Sequence, residues 1–372
     1  MNEQKKVLLV HLAKYYGGSA VRVLQTARVL NQQNSPYIVA VLNNSPLHQK
    51  LLAENLSTIP FQYKRGDPRL IWALYRVITQ YDCRIVDTHN PQSHLWGLLA
   101  AKLAGVSSVI ATVHGCYGEA ETGWRSRLYN GVLKLNAYLN ARFIAVSETV
   151  YAYLQRLNLP DSILFLSLNA IDLPEPSANS AVLSQLCGWS EDSVIIVTAA
   201  RLEPVKALND LVSAFAQAHQ QNPQLKLCII GEGRVRPELE QQIIDLALQT
   251  CVCLLGFRHD VTDLLQSADV FCLSSLSEGL PYAVLEAALS NLPLVLSNVG
   301  GMAELFTDKN NARLFPAQDV NILSQILLEL ANDTEQRQKL AASAYSFVKQ
   351  GFSLEKMVKE TLQIYEGKHD VN

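Results

Sequence analysis

Arg201 and Lys206 stand five residues apart in the stretch Ala200-Arg-Leu-Glu-Pro-Val-Lys206. Two cations at that spacing can hold a diphosphate, arginine by its planar fork and lysine as a point charge. Solvated loop charges would look the same in a sequence. Glu278 and Glu286 stand eight apart in Ser274-Ser-Leu-Ser-Glu278-Gly-Leu-Pro-Tyr-Ala-Val-Leu-Glu286. Pro281 suits the first turn of a helix, which puts Glu278 in a loop and Glu286 inside the helix. Glu286 is flanked by Ala283, Val284, Leu285, Ala287 and Ala288. A carboxylate in so apolar a setting is costly to bury unless it is paired. A ribose diol or a buried salt bridge would serve. Gly300 and Gly301, in Val299-Gly-Gly-Met-Ala-Glu304, offer N–H donors at a helix start, a plausible phosphate cradle. Gly17 and Gly18 suit either a ligand's close approach or a tight strand-to-helix turn. His114 in Thr112-Val-His114-Gly115 ends a predicted strand, where a histidine is well placed to touch a substrate.

The elements that must position these residues alternate along the chain. Short apolar runs over 6–12, 37–42, 84–87, 108–113 and 142–146 read as strands. Helical patterns over 19–31, 91–103 and 124–140 lie between them, the rhythm of a parallel sheet covered on both faces. The polar stretch 172–180 carries two prolines and reads as a domain boundary. The rhythm then restarts, with strands over 194–199, 225–230, 252–255, 270–273 and 294–296. Helices are expected over 208–219, 237–248, 281–289, 320–332, 336–349 and 354–365. The reading is α/β: a first doubly wound domain over 1–172, a linker over 173–189 and a second domain over 190–352. The two would face a central cleft, because ligands in such sheets bind beyond the carboxyl ends of the strands.

Composition narrows the class. The 372 residues suit two domains, and 49% are hydrophobic, enough for two cores. No run approaches the roughly 20 apolar residues of a transmembrane helix. The polar segment 1–6 leads straight into a strand and does not read as a signal peptide. Seven cysteines, an odd number and several inside apolar runs, suit reduced core thiols in the cytoplasm. Residues 1–170 hold 17 Lys and Arg against 9 Asp and Glu, and the remainder 14 against 25. The basic first half should meet something anionic. The segment 124–142 sets Arg125, Arg127, Lys134 and Arg142 among Trp124, Leu128, Tyr129, Leu133, Leu135 and Leu139, a composition that suits an anionic membrane surface. Dispersed basic residues and no aromatic-basic motif argue against nucleic acid.

Taken in order, these pieces resemble the retaining glycosyltransferases of family 4, with the GT-B fold of two Rossmann-like domains. The resemblance covers nearly the whole chain. It is most specific from Arg201 to Glu304, through Ile-Ile-Gly-Glu-Gly at 229–233, Leu-Gly-Phe-Arg at 255–258, Ala-Asp-Val at 268–270 and the glutamates eight apart. It implies that Arg201 and Lys206 neutralise the leaving diphosphate, Glu286 binds the ribose and Glu278 lies against the transferred sugar. Gly256, Phe257 and Arg258 would line the base, and Gly279 and Leu280 would complete the donor contacts beside Glu278. Gly17 and Gly18 would sit by the phosphates with Gly300 and Gly301, and His114 near donor sugar and acceptor. The chain departs from the pattern in having Ala200, Ala207 and Ala170 where glycine is common, which bears on loop shape but removes no charge. The last helix, about 353–372, would pack back on the first domain.

No Asp-x-Asp lies at a predicted strand end, so protein cations are expected to replace a metal and no cofactor is expected. Asp260 and Asp263 flank a helix start and read as caps. The expected activity moves a sugar, with retention, from a nucleotide diphosphate sugar (UDP by family frequency) to a glycan or lipid-linked acceptor in cell-surface polysaccharide or glycolipid assembly. An epimerase on the same fold would need carboxylates around the sugar ring and no acceptor. A non-catalytic sugar-nucleotide-binding protein would not need the full set of Arg201, Lys206, Glu278 and Glu286.

Overall fold

The computed structural model describes residues 5–64, 66–116, 118, 123–172 and 182–368. The chain divides into two compact units, one of Met1–Ala170 with Leu354–Asn372 and one of Ile171–Ser353.

In the first unit the apolar runs form β1 (Lys6–His11), β2 (Tyr37–Leu42), β3 (Thr58–Phe61), β4 (Cys83–Thr88), β5 (Ser108–Val113), β6 (Arg142–Ala145) and β7 (Leu164–Leu166). They pair in the order β3-β2-β1-β4-β5-β6-β7, each ladder parallel. Successive side chains of a strand point to opposite faces. Leu8 and Val10 therefore pack with Ile38 and Ala40 under helices Arg69–Gln80 and Pro91–Leu103. Val7 and Leu9 pack with Val39 and Val41 under Gly18–Gln32 and Pro46–Ala53. The final helix, Leu354–Glu366, joins this second layer through Ile364 and Tyr365. Polar clamps hold it: Arg22 Nη2 donates to Thr361 Oγ1 at 3.1 Å and Ser108 Oγ to the Tyr365 carbonyl at 3.0 Å. Arg142 Nη2 donates to Ser108 Oγ at 2.6 Å and to the Tyr365 carbonyl at 3.1 Å. That corrects one expectation. Arg142 is spent on the last helix and does not belong to a membrane-facing set.

The second unit contains β8 (Val194–Ala199), β9 (Leu225–Ile230), β10 (Val252–Gly256), β11 (Val270–Leu273), β12 (Leu294–Ser297) and β13 (Arg313–Phe315). Their order is β10-β9-β8-β11-β12-β13, again parallel throughout. Phe215, Phe315, Leu227, Ile229 and Leu327 belong to its core. All seven cysteines are free thiols. Among the described residues no helix is long and apolar enough to cross a membrane.

Three strands escape a reading of apolar runs. β3 contains Pro60, which weakens a strand pattern but is tolerated on the sheet edge where β3 lies. β7 and β13 are three residues each and close the opposite edges of their sheets. The expected linker also differs. Residues 173–181 lie outside the described residues, whereas Val182–Cys187 is a helix whose Leu183 is fully buried.

Loops at the carboxyl edge of the second sheet are layered backbone on backbone. Ala200 N donates to the Ile230 carbonyl and Leu202 N to the Glu232 carbonyl, each at 3.0 Å. A Cβ on Gly231, at φ +139°, would stand 1.9 Å from the Ala200 oxygen. Glycine is therefore required there. Ala207 presents the opposite case, at φ +46° where a side chain is disfavoured. Ala207→Gly should raise stability by about 0.5–1 kcal/mol, its relief of strain partly offset by the freer unfolded chain. Gly231→Ala should lower it by roughly 2–4 kcal/mol. Urea unfolding of the three proteins checks both signs. A less stable Ala207→Gly would contradict the strain argument.

Candidate functional site

Strand order reverses between β8 and β11 in the second unit and between β1 and β4 in the first. Chains leave such a pair in opposite directions, which opens a crevice at the carboxyl ends. Most of the residues singled out by sequence lie on loops beside these two places, whereas Gly256, Phe257 and Arg258 follow β10 at the edge of the second sheet.

In the second unit Arg201 and Lys206 lie on the loop after β8 and Glu278 on the loop after β11. The two loops are tied. Leu276 N donates to the Val205 carbonyl at 2.8 Å, and Ser274 Oγ is 2.9 Å from the Lys206 carbonyl. Lys206 Nζ is ion-paired with Glu278 Oε1, and Ser275 Oγ donates to the same oxygen at 2.5 Å. Both charged side chains are nearly buried, 13% and 11% exposed. This pairing was not expected from the sequence, which assigned Lys206 to a ligand alone. Arg201 is exposed and has no ion-pair partner among the described residues.

Gly300 and Gly301 close over the Glu278 loop. Gly301 N donates to the Glu278 carbonyl at 3.2 Å. A Cβ on Gly300 would stand 2.0 Å from that carbonyl, and one on Gly301 2.1 Å from the Gly279 carbonyl. These glycines hold one loop against another, and the Gly301 N–H is engaged by protein. Leu280 is buried beneath. Glu286 is half-buried on helix Tyr282–Leu289, among buried Tyr282, Val284, Leu285 and Ala287.

Gly256 ends β10 at φ +69°, and Phe257 beyond it is exposed, its ring edge-on to His259. Arg258 places its fork on Asp260 at 2.8 and 2.6 Å. That hydrogen bonding holds the Asp260 carboxyl below its ordinary range. Asp260 stands at the N-cap of helix Val261–Gln266 without a side-chain cap bond. The capping role expected for it is taken over by this ion pair.

In the first unit, Gly17 and Gly18 follow β1 and His114 follows β5. Gly17 is extended at φ −166°, and a Cβ there would meet nothing within 4 Å. Neither dihedral nor packing demands glycine, and open space remains at the start of helix Gly18–Gln32. His114 Nε2 is 3.1 Å from His89 Nδ1, and His89 Nε2 is 3.2 Å from Asp87 Oδ2. Thr112 Oγ1 donates to Asp87 Oδ1 at 2.8 Å and the Tyr365 hydroxyl to Oδ2 at 2.5 Å. Burial opposes ionisation of Asp87, but His89 and these hydroxyl donors keep the carboxyl below its ordinary range. Burial, with His89 adding to it, pushes His11 and His94 down to about 3 and His114 well below its usual value. Five side-chain atoms here, His11 Nδ1, His89 Nε2, Asn90 Nδ2, His94 Nε2 and His114 Nδ1, are buried without a hydrogen bond among the described residues, His89 Nε2 approaching Asp87 Oδ2 without forming one. Buried polar groups normally find partners, so such a concentration marks a place for polar ligand groups. Sequence reasoning singled out only His114 from this set. Asp87-Thr-His89 ends a strand just as Thr-Val-His114 does and carried the same signal.

Two parallel α/β units of this topology, with charged and glycine-bearing loops at their carboxyl edges, are the architecture of the GT-B fold. The model of Glycosyltransferase Family 4 matches residues 16–174, and that of Glycosyl transferases group 1 matches residues 184–347. The chain belongs to this family and acts with a nucleotide-sugar donor. It is 28% identical over 324 residues to the UDP-Gal:alpha-D-GlcNAc-diphosphoundecaprenol alpha-1,3-galactosyltransferase of Escherichia coli, covering 84% of this chain and 81% of that one. The structure of Anabaena Alr3699/HepE in complex with UDP and glucose superposes with a TM-score of 0.85 at 19% identity, over 98% of this chain and 100% of that one. Sucrose-phosphate synthase from Thermosynechococcus elongatus gives 0.81 at 20% identity, over 98% of each chain.

The Lys206–Glu278 pair has a direct consequence for stability. Lys206→Ala leaves a nearly buried carboxylate without its cation and should cost about 1–3 kcal/mol. Adding Glu278→Gln should recover part of that loss, while Arg201→Ala should stay within about 0.5 kcal/mol of the parent. Denaturant unfolding of five proteins tests this: the parent, Lys206→Ala, Glu278→Gln, their double variant and Arg201→Ala. Strict additivity of the Lys206 and Glu278 changes would show that the pair contributes nothing.

Proposed function

We propose that the protein is a retaining, metal-independent glycosyltransferase that moves a sugar from a UDP-sugar to a lipid-linked or glycan acceptor in cell-surface polysaccharide or glycolipid assembly. The observation that carries this reading is the convergence of Arg201, Lys206 and Glu278 on tied loops at the strand-order reversal. Likeness to the Escherichia coli galactosyltransferase supports the UDP donor and the lipid-diphosphate acceptor. UDP and glucose bound to the structurally similar HepE support the same donor class.

In this reading Arg201 and Lys206 meet the charge that grows on the diphosphate as the sugar leaves. Fixed cations stabilise such charge most when it is greatest, in the transition state. Glu286 accepts hydrogen bonds from the ribose, and Gly256, Phe257 and Arg258 line the base. Gly279, Leu280, Gly300 and Gly301 shape the loop that holds Glu278 beside the sugar. Gly17 and Gly18 leave room for phosphate, and His114 meets sugar hydroxyls. With cations supplied by the protein, no metal is needed. The leaving phosphate accepts the acceptor's proton on the face it departs from, so the anomeric configuration is kept.

Arg201→Ala and Lys206→Ala should each lower kcat by about 10²–10³. Glu286→Gln should chiefly weaken donor binding, by roughly 1.5–3 kcal/mol. Proton NMR of the first product should show the donor's anomeric configuration, and activity should survive excess chelator. An inverted product, or activity lost in chelator and restored by added metal, would overturn the mechanism.

The acceptor reading places the first unit at the cytoplasmic face of a membrane. Helix Gly123–Tyr138 buries Val132, Leu133 and Asn136 and turns Trp124, Arg125, Arg127, Leu128, Lys134 and Tyr138 outward. Aromatic and basic groups on one exposed face suit anionic lipid headgroups. The protein should co-sediment with vesicles containing phosphatidylglycerol at low salt and release at high salt. Failure to bind at low salt would favour an acceptor taken from solution.

A further inference from the structure

Asp87 is fully buried, and its carboxylate meets Thr112 Oγ1, the Tyr365 hydroxyl and His89 Nε2. An ionised carboxylate can only accept, so a hydrogen on His89 Nε2 suits the 3.2 Å approach to Asp87, which is a close contact outside hydrogen-bond geometry. With that single hydrogen on the His89 ring, Nδ1 is a lone pair and His114 Nε2, 3.1 Å away, donates to it; a doubly protonated His89 would reverse the bond. In the first arrangement His114 has its hydrogen on Nε2 and a lone pair on Nδ1, an atom with no hydrogen-bond partner among the described residues. The hydrogen position on His114 is thus coupled to that on His89, which stands between it and Asp87. Thr112 and Tyr365 hold Asp87 in turn, and Tyr365 arrives from the final helix, far away in sequence. The other titratable or charged side chains around these rings are His11 at the end of β1, His94 on helix Pro91–Leu103 and Arg22 on helix Gly18–Gln32.

We propose that Asp87, His89 and Tyr365 are positioning residues for His114: they fix its ring and tautomer so that Nδ1 accepts a hydrogen bond from a sugar hydroxyl. The proposal rests on the reading that His114 meets the sugar. It adds that the final helix is a working part of the first unit's site. Removing the Tyr365 hydroxyl loosens Asp87 without touching either imidazole. Converting Asp87 to asparagine keeps its shape but allows an amide to donate to His89, which permits the other tautomer throughout the chain.

The tautomer is read by long-range nitrogen–proton NMR of the intact, histidine-labelled protein, with His114 assigned by its loss in His114→Ala. The parent should show His114 protonated on Nε2, and Asp87→Asn should convert it wholly or partly to the Nδ1 form. Turnover is measured as UDP release with UDP-glucose and UDP-galactose as probes. Asp87→Asn should lower kcat by about 10- to 100-fold, the usual effect of losing a carboxylate behind a working imidazole, with KM nearly unchanged. Tyr365→Phe, the milder variant should Asp87→Asn fold poorly, should cost a smaller factor in the same direction. In a His114→Ala background, Asp87→Asn should add no further loss of kcat, whereas a purely structural role would lower kcat again. An unchanged His114 tautomer in Asp87→Asn, or losses that multiply in the double variant, would overturn the positioning role. Full kcat in His114→Ala would instead overturn the placement of His114 at the sugar.

Discussion

A parallel ladder sends the carboxyl ends of all its strands to one edge of the sheet, and both units are organised by that constraint. It decides where loops can gather, and the reversal of strand order decides which of them stand apart enough to admit a ligand. The candidate residues singled out by sequence follow β1, β5, β8, β10, β11 or β12 at that edge. The constraint also has a cost. Loops from neighbouring strands crowd one another, and the chain answers with glycines whose missing Cβ lets carbonyls approach, as at Gly231 under Ala200 and Gly300 under Glu278.

The first unit meets a different difficulty, that of burying charge. Asp87, Arg22 and several histidines lie together with little or no exposure. Burial disfavours ionised groups unless hydrogen bonds replace water. Asp87 keeps its charge beside hydroxyl donors and His89, while burial keeps His11, His94 and His114 neutral. Arg22 spends its fork on the Ser167 carbonyl at 2.9 Å, Ser167 Oγ at 3.0 Å and Thr361 Oγ1. The final helix is therefore bound by polar contacts as much as by Ile364 and Tyr365 packing. A polar network of this kind is specific, because each member needs its partner in one orientation.

Much of this organisation was legible in the sequence because the informative features are local. An apolar run bounded by polar residues marks a strand, and Pro281 marks a helix start wherever the rest of the chain lies. The ends of β8 and β11 could thus be found, and with them Arg201, Lys206 and Glu278. What was not legible depends on partners distant in sequence. Asp87 and Tyr365 are 278 residues apart, and neither announces the other. Arg142 looked like one more surface cation because its partners, Ile364 and Tyr365, sit at the far end of the chain. Asp260 looked like a helix cap because Arg258, two residues away, could equally have pointed into solvent.

Arg201 and Lys206 of the second unit are held differently for the work proposed for them. Lys206 is held by Glu278 and sealed on most sides, so its position is set before any donor arrives. A charge fixed in advance costs no reorganisation during reaction, which is what makes it effective toward charge that appears late. Arg201 is exposed and must be ordered on binding, at a cost in side-chain entropy of up to about 2 kcal/mol. Its planar fork returns that cost only where two oxygens are presented together, as on a diphosphate. In the proposed role, Lys206 supplies a standing field shared between Glu278 and the ligand, and Arg201 supplies discrimination. A ligand with a single negative oxygen would gain from the first and too little from the second. In that role, pairing one cation and leaving the other without an ion pair would favour a diphosphate over a single negative oxygen.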